Sequence, residues 1–116
     1  SAFVYLSESD VMSISDRYRD IYREVLTCRD GLANLPQEAA QATRSVNKGL
    51  EVLGEWVDQV GEIPRMNLEH KLTPVLLKAH NHLDRGRLLF EENGLEDQAA
   101  TAWGLQQKIY RLLNDL

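Results

Sequence analysis

The chain has 116 residues, 43% of them hydrophobic and 27% charged, and its formal net charge is −5. Its length and apolar content predict a single folded domain and exclude a disordered chain. Acidic residues outnumber basic residues by 18 to 13, so no nucleic-acid partner is expected. The single cysteine cannot form an intrachain disulfide, and no apolar run approaches the roughly 18 residues of a membrane span. We therefore expect an intracellular protein with no membrane contact.

The first predicted helix rests on apolar residues that recur at alternating spacings of three and four. Such residues fall on one stripe of a helix, because an α-helix has about 3.6 residues per turn. The stripe comprises Val11, Ile14, Tyr18, Ile21, Val25, Cys28, Leu32 and Leu35. Ser7 and Asp10 resemble a capping box, which predicts a helix start near Ser7. Residues 1–6 are then an N-terminal tail, and residues 7–116 form the domain.

A second helix is predicted to begin within the stretch ANLPQEAA. Asn34 is a suitable cap, and Pro36 is tolerated in a first turn because the N–H that it lacks has no helical partner there. Gly61 is predicted to stop this helix in a left-handed conformation, and GEIPRMN is interpreted as a loop. The apolar stripe comprises Ala39, Thr43, Val46, Leu50, Leu53, Val57 and Val60.

Two further helices are predicted on either side of Gly94. Thr73 and Pro74 indicate the start of the third helix, preceded by a short separate helix or turn at residues 68–72. The stripes comprise Leu76, Ala79, Leu83 and Phe90, and then Leu95, Ala99, Ala102, Gln106, Ile109, Leu113 and Leu116, with Leu105 and Leu112 widening the last stripe. Strand patterns are nearly absent and the links are short. The sequence therefore predicts an all-α fold, a single compact bundle of four antiparallel helices, or five if the short piece is separate.

No residue pattern predicts a catalytic, metal or cofactor site. His80 and His82 point in different directions on a helix, whereas zinc on a helix needs ligands four residues apart. His80, Asp84 and Arg87 share one face, which is typical of a solvated ladder of charges. We therefore expect no catalytic residue, no metal and no cofactor.

The hexapeptide RMNLEH leaves one enzymatic alternative open. Arg65, followed five positions later by His70, resembles the R-x4-H signature of HEPN ribonucleases, the helical higher-eukaryote-and-prokaryote nucleotide-binding family. That resemblance implies chemistry on RNA phosphate across a dimer. Only this hexapeptide matches the signature.

Trp56 is the aromatic residue most closely associated with a predicted loop. It lies beside the second apolar stripe, where it is expected to flank the core with its indole N–H at the surface. Half-exposed aromatic side chains also line the grooves through which helical bundles hold partner segments. Trp56 and the loop GEIPRMN are therefore a candidate partner groove.

The chain from Val46 onward resembles a known helical bundle in three stretches: VNKGLEVLGEWVDQVGEIP, MNLEHKLTPVLLKAHNHL and LEDQAATAWGLQQKIYRLL. The order of a leucine-rich helix, an Ile-Pro loop, a second helical piece and a Trp-centred helix is similar to one shared domain. That domain occurs as the N-terminal domain of transcription elongation factor S-II and as the integrase-binding domain of lens epithelium-derived growth factor. The resemblance implies a right-handed bundle whose inter-helix loops bind short, disordered, acidic-aromatic peptides of transcription and chromatin proteins. It also implies a nuclear location; without it, a cytoplasmic location is expected.

By that resemblance, Ile63, Arg65 and Met66, with Trp56 nearby, are the predicted partner-binding residues. The leading interpretation is a non-catalytic protein–protein interaction module that presents a groove or loop face to short peptide motifs of partner proteins. A structural bundle that homo-oligomerises, for example as a homodimer through the heptads of its first two helices, is the alternative. The HEPN-type ribonuclease is the third interpretation.

Overall fold

The computed structural model describes residues 13–116, and four α-helices make up most of them. We number these helices α1 (Ile14–Asp30), α2 (Ala40–Gly54), α3 (Leu68–Glu92) and α4 (Glu96–Asp115). No strand occurs in residues 13–116. The predicted all-α fold with four helices is therefore confirmed for this part of the chain.

The described part of the first helix begins at Ile14, later in the chain than the predicted start near Ser7. Ser13 caps the helix, because its Oγ accepts a hydrogen bond of 3.1 Å from the backbone N–H of Asp16. The predicted capping pair Ser7 and Asp10, the stripe residue Val11, and the boundary between residues 1–6 and 7–116 lie outside the described residues.

Two predicted features of α2 are wrong. Asn34 does not cap the helix; instead, Pro36 precedes a 3₁₀ turn, Gln37–Ala39, that leads into α2. At the other end, α2 stops at Gly54 and not at Gly61, which has no positive φ. Gly54 adjoins α1, since a Cβ at this position would lie 3.4 Å from the Tyr22 ring. The last residue of α2 therefore packs against α1.

The predicted helix start at Thr73 and Pro74 is also wrong. A 3₁₀ turn, Arg65–Asn67, runs directly into one continuous helix, and Pro74 lies inside α3. Proline removes a backbone donor and crowds the carbonyl four residues earlier. Both Pro74 and His70, the residue whose carbonyl is crowded, are exposed, so the proline lies on the solvent side of α3.

Gly94 ends α3 as predicted. It has φ +72°, the left-handed conformation that glycine adopts without steric cost. The next residue, Leu95, donates its backbone N–H to the carbonyl of Phe90 at 2.8 Å, and Gly94 donates to Glu91 at 3.1 Å. These bonds satisfy carbonyl groups at the helix end and turn the chain into α4.

The core is built from the predicted stripes. Tyr18, Leu53, Leu83 and Ile109, one from each helix, are fully buried members of one hydrophobic cluster. In α4, Leu105 and Leu112, which were predicted to widen the stripe, are buried, and Leu113 is only partly buried. The fully buried side chains of the cluster also include Val25, Val46, Leu72, Leu76 and Phe90.

The helices α2 and α3 approach each other closely at two glycines. A Cβ on Gly49 would lie 3.5 Å from the Ala79 carbonyl oxygen and 3.6 Å from the His82 Cβ. A Cβ on Gly86 would lie 3.2 Å from Val46 Cγ2. Both glycines are buried, so the missing side chains allow the two backbones to come together. Gly49 and Gly86 therefore fix the register of these two helices.

Alanine substitutions at two helical glycines test this packing. At Gly104, where a Cβ would meet nothing within 4 Å, alanine should raise the free energy of unfolding by about 0.5–1 kcal/mol through helix propensity. At Gly86 the same gain is opposed by contact with Val46, and we expect a stability at least about 1 kcal/mol below that of Gly104→Ala. Urea denaturation of both variants measures the difference. Equal stabilisation at both sites would contradict the close approach of α2 and α3.

Candidate functional site

The segment between α2 and α3, which we call the 55–67 loop, contains all four predicted partner-binding residues. It consists of a hydrogen-bonded turn after Gly54 and two 3₁₀ turns, Val60–Glu62 and Arg65–Asn67. Pro64 separates these two turns, and its extended backbone favours a break between them. The buried side chain of Val60 attaches the middle of the loop to the core.

Two side chains of α1 hold the beginning of this loop. The fully buried Tyr18 donates its hydroxyl to the Leu53 carbonyl oxygen at 2.6 Å. Burial, and to a lesser extent the charge of Glu55, raises the pKa of Tyr18, so that the hydroxyl remains a donor. Arg19 donates its Nε–H to the Val57 carbonyl oxygen at 3.0 Å. α1 is therefore hydrogen-bonded to the last turn of α2, at Leu53, and to the beginning of the loop, at Val57.

The structure divides the predicted site residues into two kinds. Trp56 and Ile63 are partly buried and pack against the hydrophobic core. Arg65 and Met66 are exposed, and Met66 retains 88% of its accessible surface. Trp56 and Ile63 therefore support the loop from beneath, and Arg65 and Met66 project from it.

The two residues of the ribonuclease interpretation lie near each other along the chain. Arg65 begins a 3₁₀ turn, and His70 lies in the first turn of α3. Both side chains are exposed to solvent. The interpretation of Arg65 and His70 as a phosphate-cleaving pair stays a prediction.

The structure adds a polar cluster between α3 and α4 that the sequence analysis did not predict. Asp84 Oδ1 accepts hydrogen bonds from Arg87, at 2.8 Å from Nη2, and from the Gln106 amide, at 2.9 Å. These bonds, with that of Gln106 the larger influence, hold the pKa of Asp84 below its usual value. Charge on His80 has a smaller effect in the same direction. Asp84 thus pairs with Arg87, as in the predicted ladder, and also with Gln106 on α4, outside that ladder.

Gln106 and Trp103 are the α4 side of this cluster. Gln106 is 1% exposed, and its Oε1 accepts no hydrogen bond from the described residues. Arg87 lies over the Trp103 ring, 5.4 Å from the centroid, and also pairs with Glu91 at 2.9 Å. The visible sequence signal was Gln106 itself, a polar residue within an apolar stripe. Through Asp84 with Gln106 and Arg87 with Trp103, the cluster joins α3 to α4.

An open cleft of about 450 Å³ lies along the seam between α1 and α4. Ion pairs connect its two sides: Arg17 with Asp115, at 2.8 Å, and Lys108 with Glu24. Because these charges are neutralised within the chain, the cleft offers a charged ligand little beyond its existing ion pairs. It is therefore a weaker candidate than the 55–67 loop.

The described part of the chain contains neither a group of side chains placed to hold a metal ion nor a helix that could span a membrane. No set of three or more His, Cys, Asp or Glu side chains in residues 13–116 is arranged to hold a metal ion. None of the described helices combines the length and the apolar character needed to cross a membrane.

The Asp84 cluster generates a prediction about pH. Because the pKa of Asp84 is lower in the folded state, its contribution to stability is present above the unfolded pKa of about 3.9 and is lost as pH falls through the folded value. Asp84→Asn should reduce the free energy of unfolding at pH 7 by about 1 kcal/mol, since the carboxylate is partly exposed. The difference from wild type should shrink below about pH 4, as measured by urea denaturation at each pH.

Asp58→Asn is the matched control, because Asp58 is exposed and forms no ion pair within residues 13–116. A pH-independent effect of Asp84→Asn, or an equal effect of Asp58→Asn, would show that the cluster does not stabilise the charged form of Asp84.

Comparison with known proteins gave no match to a protein-family model, a curated protein or a solved structure. The resemblance to the S-II and growth-factor bundle therefore stays a hypothesis that rests on the sequence pattern.

Proposed function

We propose that this domain is a non-catalytic protein–protein interaction module and that it binds a short segment of a partner protein at the 55–67 loop. In this proposal the four helices run antiparallel as a scaffold. Contacts such as Tyr18 with Leu53 and Arg29 with Asn47 support that arrangement for α1 and α2, because residue numbers rise in one helix as they fall in the other.

The exposure of Met66 is the observation that carries the proposal. Transfer of a methionine side chain from water into an apolar contact is favourable. Its flexible thioether side chain also adapts to different partner surfaces. Met66 is the most exposed of the large hydrophobic residues in the described chain, at 88%. It lies next to the exposed Arg65, which could direct a partner by charge.

The anchoring of the loop supports the same conclusion. A binding loop that is already ordered loses less conformational entropy on association than one that must fold onto its partner. Arg19 binds the loop at Val57, Tyr18 binds the last turn of α2 at Leu53, and the side chain of Val60 within the loop is buried. The loop thus presents Met66 from a fixed base.

The biological setting belongs to the proposal alone. We infer from the sequence resemblance that the partner is a peptide motif of a transcription or chromatin protein and that the domain acts in the nucleus. The ordered loop and the exposed Met66 support the peptide-binding role.

Met66→Ser tests the role of the loop. We expect the variant to fold normally, because the side chain is almost fully exposed, and to lose at least about tenfold in recovery of specifically bound proteins from a lysate. Quantitative mass spectrometry of immobilised wild type and variant gives the comparison. Leu88→Ser is the matched control, since Leu88 is 46% exposed on α3, far along the chain from the loop.

If Met66→Ser and Leu88→Ser recover the same proteins as wild type, the loop is not the docking site. Two further measurements separate the other interpretations. A concentration-dependent dimer in sedimentation would favour the homo-oligomeric bundle, and RNA cleavage that is lost in Arg65→Ala and His70→Ala would favour the ribonuclease.

A further inference from the structure

A stripe of basic residues runs along the exposed side of α3. Lys71, Lys78 and Arg85 are all exposed and are spaced seven residues apart. Seven residues make nearly two helical turns, so these side chains share one face at intervals of about 10 Å. Lys71 lies in the turn that follows the 55–67 loop, and the stripe therefore begins beside the proposed docking site.

The neighbouring helix α2 adds a further base to this stripe. Lys48 directly precedes Gly49, whose Cβ position would contact His82 of α3. Burial lowers the pKa of His82, and the positive charges of Lys48 and Lys78 lower it further. The imidazole of His82 is therefore close enough to Lys48 of α2 and Lys78 of α3 for both charges to affect its pKa. We call Lys48, Lys71, Lys78 and Arg85 the basic face.

The members of the basic face form no ion pair within 4 Å among residues 13–116, whereas five other basic residues in this range do so. The chain as a whole has a net charge of −5, so the part of the chain outside the basic face is more acidic than the total. Within the described residues, α3 therefore carries three positive charges without an ion-pair partner along one face, and α2 adds a fourth.

Apolar side chains lie beside these charges. Val75 is four residues after Lys71 and Leu89 is four residues after Arg85, which places each of them next to the stripe on α3. Val52 of α2, four residues after Lys48, is similarly placed. All three are only partly buried against the core. A partner of the basic face can therefore make apolar contacts between its ion pairs.

We propose that the basic face docks an acidic segment of a partner protein, one that carries apolar side chains between its carboxylates. The proposal rests on the proposed function in one respect, that the domain acts by docking another protein, but it concerns different residues. Complementary charge would speed association and fix the orientation of the segment, and the partly buried valines and leucine would supply the apolar contacts.

Nucleic acid is the less favoured occupant of this face. Single strands are held by aromatic side chains on which bases stack, and the half-exposed aromatic residues Trp103 and Tyr110 lie on α4 and not on α2 or α3. A long polyanion would also meet the acidic remainder of the surface. An acidic protein segment satisfies the charges without either difficulty.

The test uses a fluorescein-labelled synthetic peptide in which Asp alternates with Leu, and fluorescence anisotropy as the measurement. Lys78→Glu combined with Arg85→Glu should weaken binding at least about tenfold, and Lys78→Gln with Arg85→Gln should weaken it less. Arg23→Glu with Arg111→Glu, an equal charge change at exposed positions on α1 and α4, should change the affinity less than about twofold. Circular dichroism confirms that each variant is folded.

Three results would overturn the proposal: no binding of the acidic peptide, equal weakening by the control pair, or equal binding of a peptide with Asn in place of Asp. An oligothymidylate that binds more tightly than the peptide and responds to the same variants would assign the face to nucleic acid instead. Met66→Ser should leave peptide binding at the basic face unchanged. Failure here would therefore be distinguishable from failure of the 55–67 loop.

Discussion

The close approach of α2 and α3 is the constraint on which the rest of the structure depends. Gly49 and Gly86 are buried, and at both positions the opposite helix occupies the space next to the absent side chain. Two contacts along the same pair of helices fix how far one helix can slide or rotate against the other. This register places Lys48 near His82 and Lys78, and it turns the opposite side of α3, with Asp84 and Arg87, towards α4. The positive surface and the polar cluster are thus two consequences of one packing arrangement.

The second determinant of function is the connection between α1 and the 55–67 loop. The ring of Tyr18 packs in the core. Its hydroxyl donates a hydrogen bond to the Leu53 carbonyl oxygen at the end of α2, where the loop begins. Tyrosine combines a large apolar surface with one polar group that must be satisfied when it is buried. The same residue therefore stabilises the bundle and determines where the loop leaves it. Met66 is exposed on a chain segment that is already ordered. Because this segment is ordered, Met66 is a suitable side chain for docking a partner.

Much of the fold followed from the sequence because helical periodicity is a local property. The stripes around Ile21, Leu50, Leu83 and Ile109 predicted which side chains would be buried, and these residues do meet in one cluster. Helix ends were predicted less well, because packing between helices overrides local signals. α2 ends at Gly54, beside Tyr22, and not at the predicted Gly61, and α3 continues through the exposed Pro74.

The candidate site was predictable only in part. Ile63, Arg65 and Met66 were predicted from the family resemblance, and Arg65 and Met66 are exposed. Trp56 packs against the core, as expected from its place beside the second stripe, whereas no local pattern could show that Ile63 would do so. Asp84 pairs with Arg87 of the predicted ladder, but its other partner, Gln106, is 22 residues away on α4. The basic face could not be predicted for a different reason. The net charge is a sum over the whole chain, and only the register of α2 and α3 shows which charged side chains lie together.

The titration of His82, followed by nuclear magnetic resonance, tests the central claim most directly. If α2 and α3 hold Lys48 and Lys78 on either side of this imidazole, His82 should titrate below the usual value of about 6.5. Lys48→Met, a change on the other helix, should then raise the pKa of His82, and so should Lys78→Met. A His82 pKa at the ordinary value that is unaffected by Lys48→Met would contradict the packing register and, with it, the positive surface built from two helices.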